Sequence, residues 1–115
     1  MFTPAENVTR RSAEGLQKGN GISKFLDLAT KEQMYGHARL FSQITLDPGC
    51  SIGYHIHQHE TEFYFMLQGE AAVNDNGTEI TLRPGDVTAT AHGEGHSIEN
   101  RTSEPVVFMA LIVME

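Results

Sequence analysis

Three histidines alternate over a short stretch of this chain, and two glutamates follow them closely. His55 and His57 are two residues apart, so on a β-strand both imidazoles project from the same face. Neutral imidazole is a common ligand of transition metals, and two on one face supply half of a four-ligand site. The spacing therefore predicts a metal site that contains His55 and His57.

The other ligands of this site have competing candidates. His59 would share the face of the first two histidines if their strand continued, but residues 57–62 are mostly polar and have the composition of a bend. Glu62 begins the next strand-like run, from which its carboxylate can reach the same space, and Glu60 is a weaker candidate. His96 begins a later run and offers a third imidazole from across a barrel. Spacing alone leaves His59, Glu60 and Glu62 open as alternatives.

Short strand-like runs surround these residues and must position them. Residues 37–46 alternate between apolar and polar side chains, which is the period of two expected of a strand. Asn76-Gly77 lies between two such runs and is a strong hairpin signal. Many short strands separated by turns rich in Gly and Pro predict an all-β barrel or sandwich. The predicted strands cover residues 22–28, 37–46, 51–57, 62–68, 70–74, 79–82, 86–89, 96–100 and 106–113, with a helical turn in 29–34.

Length and composition limit the organisation of the chain. Its 115 residues suffice for one domain. Residues 1–20 are polar and predict an arm that is partly irregular, and residues 21–115 predict the barrel domain. No apolar run approaches the ~20 residues needed to span a bilayer. A secretory h-region is absent from the N-terminus, and Cys50 has no cysteine to pair with, so we expect a cytoplasmic protein.

The net charge of the chain indicates which kinds of partner to expect. Eight Lys and Arg stand against fifteen Asp and Glu, for a formal charge of −7. Binding to nucleic acid normally requires a basic patch. Arg10 and Arg11 are the only adjacent basic pair, and they lie in the N-terminal arm. We therefore expect neither nucleic acid nor a membrane as partner, but a small molecule.

Two spaced motifs in this sequence resemble those of the cupin superfamily. The first motif is matched at every step by Gly49, His55, His57, Glu62 and Gly69. The second is matched by Gly85, Gly93, His96 and Asn100, with Ala91 in place of its proline. The interval between the motifs is short, as it is in small bacterial cupins. The two motifs together span nearly half of the chain.

This resemblance implies a fold and a ligand set. The fold is a jelly-roll barrel (a double-stranded β-helix) of six to eight strands, with the metal near one open end. The implied ligands of one divalent transition metal are His55, His57, Glu62 and His96, which leave two adjacent octahedral positions open. Such a donor set suits Mn, Fe, Co, Ni or Zn. Mn is our first expectation.

Within the superfamily, the second motif and its surroundings look most like the oxalate decarboxylase and germin branch. Members of that branch bind Mn and act on small dicarboxylates. They carry an arginine three residues before the first ligand histidine, where this chain has Ile52, and a lid acid beyond the second motif, for which we expect no counterpart in residues 101–115. The resemblance implies a metal-dependent enzyme on a small anionic or oxygen-rich substrate: a decarboxylase, dioxygenase or isomerase. The alternative is a metal-dependent binding or sensing module without turnover.

Alternation on the strands nominates further residues. Tyr64 shares the inward face of Glu62 and is a candidate for the substrate pocket, as is Arg39, which could replace the missing arginine. His37, His92 and Glu60 are weaker candidates that we expect to face solvent. An apolar stripe faces the other way, and in small cupins the equivalent face packs against a partner subunit, so we expect a homodimer. The stripe consists of Phe63, Phe65 and Leu67.

Overall fold

The computed structural model describes residues 1–115 and contains ten β-strands, one short α-helix and two single-turn 3₁₀ helices. The strands are β1 (Thr9–Glu14), β2 (Ile22–Asp27), β3 (Ala38–Leu46), β4 (Ser51–Ile56), β5 (Glu60–Gln68), β6 (Ala71–Asp75), β7 (Thr78–Leu82), β8 (Val87–Thr90), β9 (Gly95–Glu99) and β10 (Val106–Met114). The helix α1 spans Lys31–Met34. Nine of the strands lie within three residues of the predicted bounds, and α1 falls within the predicted helical turn.

The strands form two antiparallel sheets that enclose one core. The larger sheet has the order β1-β2-β3-β10-β5-β8, and the smaller has the order β4-β9-β6-β7. On β3, β5 and β10 buried side chains alternate with more exposed ones, so one face of each strand is turned inward. The fully buried apolar residues include Ile44, Leu46, Met66, Val73, Ile98 and Phe108. These side chains fill the space between the sheets and hold them together.

The N-terminal residues contribute a strand that the sequence pattern does not reveal. β1 pairs with β2 over its whole length, from Thr9 opposite Asp27 to Glu14 opposite Ile22. Its side chains are almost all exposed, so it carries no alternation from which a strand could be predicted. This hairpin brings the strand count to ten, above the six to eight that the resemblance implies. The division of the chain at residue 20 stays a prediction.

The apolar stripe on β5 lies on the outer face of the larger sheet, as alternation predicts. Phe65 is 43% exposed and Leu67 is 41% exposed, whereas Phe63 is half-buried. Their neighbours on the same strand, Tyr64 and Met66, are fully buried. The homodimer that this stripe suggests stays a prediction.

The single α-helix is four residues long, and no helix in the structure has the length and apolar character needed to cross a bilayer.

Candidate metal centre

Three strands bring the predicted ligands together between the two sheets. His55 on β4 pairs in register with His96 on β9, so these two imidazoles start from neighbouring backbone positions in the smaller sheet. Glu62 enters from the larger sheet, on β5. His57 follows β4, and its backbone is held by two hydrogen bonds with the turn before β9: its N–H donates to Glu94, and its carbonyl accepts from Gly93.

The donor atoms of these four side chains converge. All four lie within 4.8 Å of one another, and His57, Glu62 and His96 are buried. His96 Nε2 is 3.1 Å from His55 Nε2 and 3.1 Å from His57 Nε2. Glu62 Oε1 is 3.0 Å from His96 Nε2, 3.1 Å from His57 Nε2 and 3.8 Å from His55 Nε2. The four residues form a group that could hold one metal ion.

The outer nitrogen of each imidazole is already engaged. His55 Nδ1 lies 2.7 Å from the carbonyl of Gly53, and His57 Nδ1 lies 2.6 Å from Glu60 Oε2. A carbonyl and a carboxylate only accept, so both Nδ1 atoms carry the proton and donate. His96 Nδ1 lies 2.9 Å from the hydroxyl of Thr90. In the neutral rings of His55 and His57, Nε2 therefore presents a lone pair to the centre of the cluster.

This arrangement fits a metal ion on chemical grounds. Lone pairs of imidazole nitrogens and a carboxylate oxygen meet at hydrogen-bond distance, and a proton or a cation between them relieves their repulsion. Ligands at right angles around a transition metal, each about 2.1 Å away, are separated by about 3.0 Å. The separations of 3.0 to 3.1 Å around His96 match that value. The donor set of three nitrogens and one oxygen suits a divalent transition metal.

Burial and the neighbouring charges shift the protonation of this cluster. Burial would raise the pKa of Glu62, but its contacts with His55, His57 and His96 outweigh that effect and hold the pKa well below its usual range. The hydrogen bond to Glu62 raises the pKa of His57, with Glu60 acting in the same direction. Burial lowers the pKa of His96. The carboxylate is therefore ionised at neutral pH, as a metal ligand must be.

The two alternatives to Glu62 occupy different places. The backbone of His59 has a φ of 58°, in the left-handed region, and its side chain turns outward to pair with Glu115. Glu60 lies beside the cluster, where it binds Nδ1 of His57 instead of joining the converging atoms. Of the three open candidates, the structure brings only Glu62 into the group with His55, His57 and His96.

The two predicted pocket residues, Tyr64 and Arg39, line one cavity beside the cluster, and each already contacts another side chain. The ring of Tyr64 stacks on that of His96, with 4.7 Å between centroids. Burial raises the pKa of Tyr64 well above its ordinary value, and the charge of Glu62 adds to the shift, so the hydroxyl keeps its proton. Arg39 makes two hydrogen bonds to Glu60, of 2.7 and 2.6 Å. Their role toward a substrate stays a prediction.

The cavity beside the cluster has a volume of about 240 Å³. Drug-sized ligands occupy pockets of roughly 300–1,000 Å³, so this one suits a smaller molecule. Its walls are apolar at Leu40 and Ile52, and its arginines, Arg11 and Arg39, are each paired with a carboxylate. A small acid entering this cavity would meet the cluster at its polar end.

Sequence reasoning missed the groups that orient the imidazoles. Glu60 is expected to face solvent, yet its side chain is only 12% exposed and bridges His57 and Arg39. The available signal is its place three residues after His57 in a bend. Thr90 and the carbonyl of Gly53 have no such signal, because only the pairing of distant strands places Thr90, and a backbone carbonyl carries no residue type.

Comparison with known proteins supports this architecture. The family model described as the cupin domain matches residues 42–113. An oxalate-binding protein of Thermotoga maritima is 37% identical over 114 residues, which cover 99% of this chain and 94% of that protein. The tetracenomycin polyketide synthase protein TcmJ of Streptomyces glaucescens is 30% identical over 83 residues, or 70% of this chain and 56% of that protein.

Solved structures agree in fold. The crystal structure of a predicted oxalate decarboxylase from Thermotoga maritima superposes with a TM-score of 0.94 at 36% identity, covering 100% of both chains. A sugar phosphate isomerase of the cupin superfamily from Silicibacter pomeroyi gives a TM-score of 0.77 at 21% identity, covering 100% of this chain and 76% of the other. The second likeness concerns the fold alone.

Proposed function

The chain belongs to the cupin domain family, and on that premise we propose that it binds a small carboxylic acid at one divalent transition metal held by His55, His57, Glu62 and His96. The observation that carries this proposal is the convergence of imidazole lone pairs and an ionised carboxylate, with donor atoms as close as 3.0 Å. Structural metal sites are usually closed, whereas four protein ligands on a six-coordinate metal leave two positions for a bidentate acid.

The metal would supply the positive charge that binds the acid. Mn is the first candidate, followed by Fe, Ni, Co and Zn, since affinity order alone does not choose among them. Both arginines of the cavity wall are already paired with carboxylates, Arg11 with Asp27 and Arg39 with Glu60. An acid that enters therefore finds no unpaired arginine in this wall, which leaves its recognition to the metal.

Oxalate is the first acid to test. It offers two adjacent carboxylate oxygens for bidentate binding, and it fits a cavity of about 240 Å³. A relative that shares 37% of its residues with this chain is described as oxalate-binding. We extend the proposal to a homodimer built on the outer face of β5 and to a cytoplasmic location, for which the lone Cys50 is the support.

Turnover is the second candidate function. The burial of His57, Glu62 and His96 favours it, since charges act more strongly where water is excluded. The chain's own residues would then bind and orient the acid, while Tyr64, whose hydroxyl keeps its proton beside the charge of Glu62, lines the cavity. A decarboxylase, a dioxygenase and an isomerase all remain within this candidate.

Calorimetric titration separates binding from turnover. Oxalate is added to protein loaded with Mn²⁺ and to metal-free protein, with acetate as the monodentate control. We expect saturable binding of oxalate to the loaded protein alone, and at least tenfold weaker binding of acetate. Equal binding of oxalate with and without metal would contradict the proposal. Release of CO₂ or uptake of O₂ by the loaded protein would establish turnover.

A further inference from the structure

One carboxylate outside the converging group links two parts of the cavity wall. Glu60 Oε2 accepts from His57 Nδ1 at 2.6 Å and from Arg39 Nη2 at 2.6 Å, and Glu60 Oε1 accepts from Arg39 Nε at 2.7 Å. The side chain of His57 is 3% exposed and that of Glu60 is 12% exposed, so water competes little for this contact. Both carboxylate oxygens are therefore used inside the protein.

Glu60 gives His57 a partner that the other two imidazoles lack. The corresponding contacts of His55 and His96 are a backbone carbonyl and a threonine hydroxyl, which are neutral. A carboxylate on Nδ1 fixes the proton there, orients the ring and makes Nε2 a stronger donor of its lone pair. Such outer partners of a metal-bound histidine commonly change metal affinity 10–100-fold when they are removed.

Arg39 fixes the orientation of Glu60. It comes from β3, 21 residues away in the chain, and its guanidinium binds the carboxylate with two parallel hydrogen bonds. This bidentate geometry holds the plane of the carboxylate as well as its position. Because both of these hydrogen bonds go to Glu60, Arg39 contacts the cluster through that carboxylate, and its direct charge interaction with Glu62 is weaker.

We propose that Glu60 is a positioning residue for His57, and that Arg39 acts on the metal centre through Glu60 instead of contacting the bound acid. This inference rests on the proposed function for its metal. For Arg39 it replaces the role that the sequence suggests, that of a substrate-binding arginine. It gives Glu60 a role other than the two that its sequence position suggested, that of a metal ligand and that of a residue facing solvent.

A pair of matched glutamate variants tests the first part. Glu60→Gln keeps the shape of the side chain but leaves one accepting oxygen for two donors, Arg39 and His57. Glu115→Gln is the control, because Glu115 makes the same kind of contact, at 2.7 Å, with the exposed His59. Titration of metal-free protein with Mn²⁺ should show binding at least tenfold weaker for Glu60→Gln and within twofold of wild type for Glu115→Gln. Equal affinities in the two variants would overturn the proposal.

A spectroscopic measurement separates positioning from a general loss of folding and needs no metal. In ¹⁵N-labelled metal-free protein, at a pH high enough for His57 to be neutral, its ring nitrogens should report a proton fixed on Nδ1. In Glu60→Gln they should report a mixture of tautomers, while His55 keeps its wild-type signals. An unchanged His57 in Glu60→Gln would overturn the positioning role. If wild type fails to bind Mn²⁺, the proposed function fails, and the tautomer of His57 still decides the role of Glu60.

The second part is tested by combining variants. Arg39→Gln should weaken Mn²⁺ binding three- to tenfold in the wild-type background and by less than twofold in Glu60→Gln, because its effect passes through Glu60. Once the protein is saturated with Mn²⁺, the affinity of Arg39→Gln for oxalate should stay within twofold of wild type. Unchanged Mn²⁺ binding with oxalate binding lost would contradict the proposal and return Arg39 to direct contact with the acid.

Discussion

Two histidine–glutamate pairs with nearly equal contact distances are formed by histidines at the bend before β5. His57 Nδ1 is 2.6 Å from Glu60, and His59 Nδ1 is 2.7 Å from Glu115. The side chains of the first, inner pair are 3% and 12% exposed, whereas those of the second, outer pair are 74% and 73% exposed. A candidate ligand and a surface histidine therefore do not differ in contact distance. They differ in burial and in the direction of the ring.

The backbone decides that direction. On a continued strand His59 would have followed His55 and His57 into the cluster. Its φ of 58° breaks the alternation, and its backbone N–H donates instead to Nδ1 of the exposed His92. His59 and His92 thus have their rings 4.6 Å apart, but Nδ1 of His92 already accepts from the backbone of His59 and no buried carboxylate completes the group. The difference shows that histidine spacing nominates ligands and that local backbone geometry selects them.

The largest expected effect is the loss of bound metal when the inner histidine, His57, is removed. His57→Ala deletes one of the four converging donors and should abolish stoichiometric metal, from about one per chain to near zero. His59→Ala should keep full occupancy. Elemental analysis of both proteins, purified without added metal, makes the measurement. Full occupancy with unchanged affinity in His57→Ala would show that the ligand assignment is wrong.

Glu62→Gln sharpens the choice between the inner carboxylate and the outer histidine. A neutral amide is a poorer ligand for a dication than a carboxylate, so metal affinity should fall by about a hundredfold. His59→Ala should change it by less than twofold. Competition titration with a chelator of known affinity compares the two. Equal or reversed losses would move the assignment to His59.

A further prediction concerns assembly of the chain through the outer face of β5. We expect a dimer that buries the outer face of Phe63, Phe65 and Leu67, at about 25 cal/mol for each Å² of apolar area covered. Phe65→Glu places an unpaired charge in that contact and should give monomer or aggregate. Leu28→Glu is a matched control, since Leu28 is 42% exposed and follows β2, which lies three strands away from β5 in the larger sheet. A monomeric wild type, or a stable Phe65→Glu dimer in light scattering, would exclude the face as an interface.

The smallest expected effect is on stability against acid. The hydrogen bonds from Arg39 and, to a smaller extent, from His57 lower the pKa of Glu60 to about 2, from an ordinary value of 4.5. A depressed pKa in the folded state gives stability that is complete above the unfolded value and is lost as the pH falls from about 4.5 to about 2. In metal-free protein Glu60→Gln should remove roughly 1–2 kcal/mol of this stability at pH 7, because Arg39 is half in solvent and screening reduces the full shift. Glu115→Gln should lose much less. Urea unfolding at pH 7 and pH 3 tests this, and equal pH dependence of Glu60→Gln and wild type would contradict it.

Much of the fold follows from the sequence because alternation and turns are local signals. Residues 38–46 alternate in the sequence and in the structure, with Ile44 and Leu46 buried and Arg39 and Phe41 exposed. Asn76 takes a positive φ at the predicted hairpin between β6 and β7. β1 escapes prediction because its polar residues find their place through hydrogen bonds to β2 and not through burial.

The candidate site was predictable only in part, for a related reason. His55 and Glu62 can be nominated from their strands, and His96 from its motif, since each lies at a regular position. Glu60 could not be assigned, because its contact with Arg39 depends on where β3 passes in space. Contacts between distant strands are set by the whole fold, and single positions carry little record of them.

Anomalous diffraction from crystals of Mn²⁺-loaded protein tests the central claim most directly. We predict one strong peak per chain, within about 2.0–2.3 Å of Nε2 of His55, His57 and His96 and of a carboxylate oxygen of Glu62. A peak at His59, His92 and Glu115, or no ordered peak among the four converging side chains, would contradict the account.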